Sequence, residues 1–281
     1  MFDLMLPALA ACFILTGIHA YLGIHVVERK VIFVDLSLAQ VAALGAVIAS
    51  LFKMDIHGNG AYMMSLSFTF IGAAVFSLAR TRDDKIPQEA IIGIVYAVST
   101  SLAILVLSKS AEAAEHLQEM LVGNILFVSW HDNLKILILY GVIGLFHVVF
   151  RKQFVMVSFA LDEAVNRKFK VRFWDFLFYI TFGFVVTSSV RIAGVLLVFS
   201  FLVVPAVCGV MFAGSIWKRL LVGWTVGLLT SCLGTYGSVK FDFPTGASVV
   251  CAFGLVLLAL APVKIMLFRV GAQHKIGNQA L

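Results

Sequence analysis

The feature that most constrains this chain is a succession of nine apolar stretches, each near the length that crosses a bilayer as a helix. They lie at about 4–27, 31–52, 61–79, 90–108, 134–150, 174–188, 192–214, 219–238 and 246–268. A backbone placed in hydrocarbon has to satisfy its own hydrogen bonds, so runs of this length fold as helices. Composition agrees, since of 281 residues 61% are hydrophobic and only 13% are charged, whereas soluble domains carry about 25% charged residues. Too few charges remain to cover a water-facing surface, and the loops leave no room for an extramembrane domain. The expected fold is an all-α, polytopic transmembrane bundle forming a single unit over 1–281. The run at 174–188 is short at about 1.5 Å per residue and needs tilt or its amphipathic flank FKVRFW to cross. Discounting it leaves eight spans and moves one terminus to the other side.

A formal net charge of +6 would suit nucleic acid on a soluble protein, but in a bilayer it reports orientation, and no nucleic-acid partner is expected. With the N-terminus outside, the internal connections hold 16 of the 21 Lys and Arg residues, against five outside (Lys53, Lys109, Lys135, Arg191, Lys240). The positive-inside rule then predicts a multi-pass protein of the plasma or inner membrane, in contact with lipid, with its C-terminus in the cytoplasm. The opening MFDLMLP has neither a basic region nor a small-residue cleavage site and reads as the start of a span. Cys12, Cys208, Cys232 and Cys251 stand singly in apolar runs, with no metal or disulfide spacing.

Two connections are longer than a turn. The external one, 109–133, is amphipathic in its first half and continues as LVGNILFV with Trp130, which suits a segment lying at the interface. The internal one, 151–173, carries six basic residues and the stretch SFALDEAV, which reads as a short cytoplasmic helix and a natural docking surface.

A charge at the bilayer centre costs about 2.5–3.5 kcal/mol on insertion scales, so each buried ionisable group needs a reason. In the second span Asp35 sits about 6 Å from the cytoplasmic end and Gln40 near the midplane. Small residues surround them (Ser37, Ala39, Ala42, Ala43, Gly45, Ala46), allowing close helix approach and making this span the best candidate for a pathway wall. Asp35 reads either as a cation contact or as a structural partner of Arg29 or Lys30; Gln40 reads as pathway lining or as an interhelical hydrogen bond. His19, three residues after Thr16, is the deepest histidine, with His25 and His147 nearer the span ends. Outside, Asp55 with His57 and His131 with Asp132 could attract cations or serve as turn residues. Pro205 removes a backbone hydrogen bond from the seventh span and is expected to kink it. No phosphate loop, metalloprotease motif, nucleophile elbow or dinucleotide fingerprint is present, so the chain is expected to be no enzyme and to draw energy from an ion gradient or a partner.

Several stretches, in order along most of the chain, resemble the membrane subunits of ABC importers for zinc, manganese and related metals. They are ERKVIFVDLSLAQVAALGAVIA, QEAIIGIVYAVSTSLAILVLS, LVGNILFVSWHDNL, SFALDEAVNRKFKV, RIAGVLLVFSFLVVPAVCGVMF and FDFPTGASVV. The resemblance implies a type II importer fold, a homodimer around a central path, and two cytoplasmic ATPase subunits that bind ATP and dock near Ala160, Leu161, Asp162, Glu163, Ala164 and Lys168. It also implies an external metal-binding protein, a transported divalent metal ion and no permanently bound cofactor. Two positions depart from the family pattern. Its Asp and the His four residues later fall here on Leu36 and Gln40, so that Asp35 and Gln40 lie about 140° apart on the helix. The Gly that follows the Ala of its coupling segment by four residues is here Lys168. Loss of the imidazole removes a favoured zinc ligand and leaves the choice of metal open. A gradient-driven transporter or channel would need a relay of intramembrane carboxylates, and only Asp35 lies deep. A permease for a metal chelate would need a wide apolar vestibule.

Overall fold

The computed structural model of the chain describes residues 2–55, 58–80, 86–108, 123 and 125–277, with side chains placed between 5 and 264. Among the described residues there are eleven α-helices, one 3-10 turn and no strand. The helices are α1 (Phe2–Glu28), α2 (Val34–Leu51), α3 (Asn59–Ala79), α4 (Gln88–Leu107), α5 (Trp130–Val149), α6 (Arg151–Phe159), α7 (Leu161–Asn166), α8 (Val171–Ala193), α9 (Val195–Phe212), α10 (Ile216–Phe241) and α11 (Thr245–Gly277). All but α6 and α7 are long and apolar enough to cross a bilayer, giving nine candidate spans among the described residues.

The stretch expected at 174–188 is the 23-residue helix α8, about 34 Å long at the usual rise and sufficient for a full span. Polar residues at both ends hid its length. Ser188 and Ser189 donate back to the carbonyls of Phe184 and Val185 at 2.7 Å each, so their hydroxyls cost the helix little. Asp175, just past its first turn, is neutralised by two arginines.

The spans pack as two groups. In one, α2 is enclosed by α3, α4 and α8; in the other, α1, α9, α10 and α11 pack on one another. Contacts of α8 with α9 and of α1 with α5 and α6 join them around a core that includes Phe178, Tyr179, Phe182 and Phe201. Two glycines show how closely the spans of each group approach one another. A Cβ on Gly23 of α1 would lie 2.0 Å from the Leu202 carbonyl oxygen of α9, and one on Gly45 of α2 would lie 2.8 Å from that of Met64 in α3. The outer faces of α4, α5 and α11 expose Leu102, Leu105, Val142, Leu145, Leu255 and Leu258, as a lipid-facing surface requires. α9 stays helical through the buried Pro205.

Because the spans alternate in direction, the segments rich in Lys and Arg gather at one end, here called the basic end. The contacts establish this directly: Arg29 and Arg80 both reach Asp175, and Arg219 pairs with Glu28. At this end the SFALDEAV stretch is two helices rather than one, since Ala160 leaves the helical region (φ −139°, ψ 53°) and separates α6 from α7. Most of the amphipathic segment expected in 109–133 lies outside the described residues. Its described part is Gly123, the turn Ile125–Phe127 and the start of α5, where Trp130 is exposed.

Candidate functional site

Asp35 lies in the first turn of α2, and its side chain is buried. An N-terminal position suits a carboxylate, because the unpaired amides and the helix dipole favour negative charge. The local partner considered from sequence does not form, since Arg29 is paired with Asp175 instead. One Asp35 oxygen, Oδ1, is buried with no hydrogen-bond partner. Beside it Glu89, in the first turn of α4, accepts the Phe33 amide at 3.0 Å through Oε1 and so caps the start of α2. Its Oε2 is also buried and unpartnered. Glu89 is the acidic group whose charge acts on Asp35, and the basic end of α2 is thus flanked by two carboxyl oxygens with nothing to accept from.

The other sequence candidates are not gathered around Asp35. Gln40 is buried farther along α2, and His19 belongs to α1; no hydrogen bond or ion pair joins any two of the three. His19 Nδ1 donates to the Leu15 carbonyl at 2.8 Å, leaving Nε2 buried and unpartnered, while Thr16 donates to Cys12 of its own helix. His25 and His147 belong to a polar cluster that joins helices. The His25 Nδ1 lies 2.8 Å from Ser158 Oγ, and His147 bridges Tyr21 at 3.2 Å and Thr181 at 2.9 Å. Among the described residues no group of three or more His, Cys, Asp or Glu could hold a metal ion.

Sequence reasoning missed the cluster at the basic end. Arg29, at the foot of α1, donates to Asp175 Oδ1 and to Ser158 Oγ at 2.8 Å each, and its guanidinium carbon sits 3.8 Å over the Phe178 ring. Arg80, at the foot of α3, donates to the same Asp175 oxygen and to the Val157 carbonyl at 3.0 Å. Burial pulls the Arg29 guanidinium below its usual pKa range, and the charge of Asp175 opposes that. The segment that carries α7 hangs from this cluster. Asp162 and Glu163 are exposed, Leu161 is half-buried and Ala164 is fully buried. Lys168 closes the segment with a φ of 55°, and the Lys168 and Phe169 amides return to the carbonyls of Val165 and Ala164 at 2.9 Å, a left-handed helix end.

At the opposite end Ser129 and Asp132 form a capping box at the start of α5. The Asp132 amide donates to Ser129 Oγ at 3.1 Å, its carboxylate accepts from the same hydroxyl at 2.6 Å, and Lys135 pairs with it at 3.4 Å. His57 lies outside the described residues. A cavity of about 520 Å³ opens among Asn59, Tyr62, Asp132, Lys135, Ser188 and Arg191, with the Arg191 guanidinium 5.0 Å from the Tyr62 ring.

The sequence profile of the ABC 3 transport family matches residues 1–264. This chain belongs to that family. Over 217 residues it is 27% identical to the manganese transport system membrane protein MntC of Listeria innocua, covering 74% of this chain and 77% of that one. It is 24% identical over 257 residues to a protein of Haemophilus influenzae described as a probable iron transport system membrane protein, covering 92% and 89%. In fold it matches PsaBC from Streptococcus pneumoniae, solved in complex with Fab, with a TM-score of 0.73 at 21% identity over 91% of this chain and 90% of that one. It also matches a metal-chelate-type ABC transporter in an inward-facing conformation, with a TM-score of 0.66 at 18% identity over 93% and 85%. The bundle is thus that of a membrane protein of the ABC 3 transport family. Lys168, which stands where the resemblance places a glycine, holds the left-handed geometry that glycine adopts without strain.

Proposed function

We propose that this chain is the membrane subunit of an ATP-driven importer of divalent metal ions, with manganese or iron favoured over zinc. In this reading two copies enclose the path, cytoplasmic ATPase subunits dock on α7, and an external binding protein delivers the metal. The basic end is cytoplasmic, by the positive-inside rule. The observation that carries the reading is Asp35, a carboxylate in the most enclosed span of an ABC 3 permease with one oxygen left unpartnered. Hard oxygen donors from Asp35, with Gln40 deeper in the same helix, suit manganese or ferrous iron better than zinc, which prefers imidazole and thiolate. Manganese and iron are also the metals in the names of the two relatives given above. His19 is a third polar group on the path, and Pro205 supplies the weak rung about which α9 bends as the path opens.

The test is uptake of radiolabelled manganese into proteoliposomes that hold the permease with its ATPase subunits and binding protein. Uptake is expected to require ATP, and Asp35→Asn is expected to lower it about tenfold or more, in the range of a lost charged contact, with assembly unchanged. Equal uptake without ATPase subunits would overturn the importer reading, and full uptake by Asp35→Asn would return Asp35 to a structural role.

A further inference from the structure

The two ends of the coupling segment are held by the same pair of arginines. Before α7, the Val157 carbonyl accepts from Arg80 Nη2 at 3.0 Å and Ser158 Oγ accepts from Arg29 Nε at 2.8 Å. After α7, Asp175 accepts from Nη1 of both arginines. Each arginine terminates a span. Arg29 closes α1 just before the turn that enters α2 and Asp35, and Arg80 closes α3, which packs along α2. α7 hangs between two anchors fixed to one clasp, so it cannot shift as a body without pulling on α1 and α3.

Arg29 is further held by the Phe178 ring 3.8 Å beneath it, and His25 shares its Ser158 contact. Even so the cluster is not saturated. Arg29 Nη2 and Asp175 Oδ2 are both buried with no partner. A clasp with an unused donor and an unused acceptor can re-pair without recruiting a new polar group, as a two-state joint requires.

We infer that Arg29 and Arg80, clasped on Asp175, are positioning residues that carry movement of the ATPase-docking segment to α2, the helix that bears the proposed metal contact. The inference rests on the reading of α7 as the ATPase docking site. A clasp that only held the fold together would affect yield and stability, and would lower transport and hydrolysis together. A transmitting clasp affects the ratio of metal moved to ATP consumed.

Two variants separate these roles in the assembled complex. Arg80→Gln keeps an amide donor at that position but removes its ion pair, while Ser158→Ala removes the hydrogen bonds that tie α6 to Arg29 and His25 and leaves both ion pairs on Asp175 in place. Reconstituted complexes are assayed for manganese transported per ATP hydrolysed, alongside co-purification of the ATPase subunits. Arg80→Gln is expected to lower that ratio about fivefold or more, the lower end of typical coupling between sites, with Ser158→Ala intermediate and both complexes assembled as in wild type. Arg80→Lys, which restores a cation on Asp175, is expected to recover part of the ratio. Wild-type ratios in both Arg80→Gln and Ser158→Ala, or transport and hydrolysis falling in proportion to yield, would overturn the inference while leaving the importer reading intact. Failure of the wild-type complex to couple uptake to ATP would overturn that reading and the inference with it.

Discussion

At the scale of single residues, Asp35 and Lys168 stand out for different reasons. Asp35 was conspicuous in the sequence because charge is scarce in the spans, and its depth alone marked it. Its neighbour Glu89 was not conspicuous, since it follows the acidic run Asp83–Asp84 at the edge of a span and resembles an ordinary loop charge. Its part in the site depends on which helix start its carboxylate reaches, and that is a tertiary fact. Arg29 shows the same limit. The nearest acid in sequence was Asp35, but the ion pair goes to Asp175, 146 positions away. Lys168 was legible only as a departure from a glycine, and its φ of 55° supplies the physical reason. A side chain in the left-handed region costs about 1 kcal/mol, which glycine avoids. Lys168→Gly is therefore expected to stabilise the protein by about 1 kcal/mol, raising the midpoint of thermal unfolding in detergent. An unchanged or lower midpoint would mean that the lysine makes a compensating contact or that glycine's greater freedom in the unfolded chain offsets the gain.

At the scale of elements, the spans were readable because the bilayer enforces them, with no water at the core to satisfy an exposed backbone. What failed were element ends and breaks. α8 was cut short because hydroxyl residues and charges at its ends lower its hydropathy although its backbone continues. The break at Ala160 could not be foreseen, because alanine is the strongest helix former and gives no local signal. The contacts between spans were only partly visible, as small residues whose purpose depends on the facing helix. Gly23 and Gly93 make the distinction testable. A Cβ on Gly23 would meet the Leu202 carbonyl of α9, whereas one on Gly93, on an exposed face of α4, would meet nothing within 4 Å. Gly23→Ala is expected to destabilise by about 1–3 kcal/mol through overpacking against backbone. Gly93→Ala is expected to be neutral or stabilising by up to about 1 kcal/mol from helix propensity. Unfolding of the two variants in the same detergent measures both, and equal effects would show that α1 and α9 separate easily.

At the scale of the whole molecule, orientation and packing are two views of one charge pattern. The segments holding most of the basic residues meet at one end, where Arg29 and Arg80 clasp Asp175 and Arg219 pairs with Glu28. Removing one partner of a buried pair costs about 3–5 kcal/mol, because it leaves the other charge uncompensated. The charges that set orientation during insertion thus also tie the helix feet together after folding. His131, in the first turn of α5, and Arg167, beyond the far end of that helix, are both exposed, with a single span between them. In a background with Cys232 and Cys251 replaced by Ser, a membrane-impermeant maleimide applied to intact cells is expected to label His131→Cys, and to label Arg167→Cys only after permeabilisation. The reverse pattern would place the basic end outside and remove the proposed docking site on α7 from the reach of cytoplasmic ATPases. Labelling of both from one side would mean that α5 does not cross, and the nine-span register would be broken at the point where α6 and α7 begin.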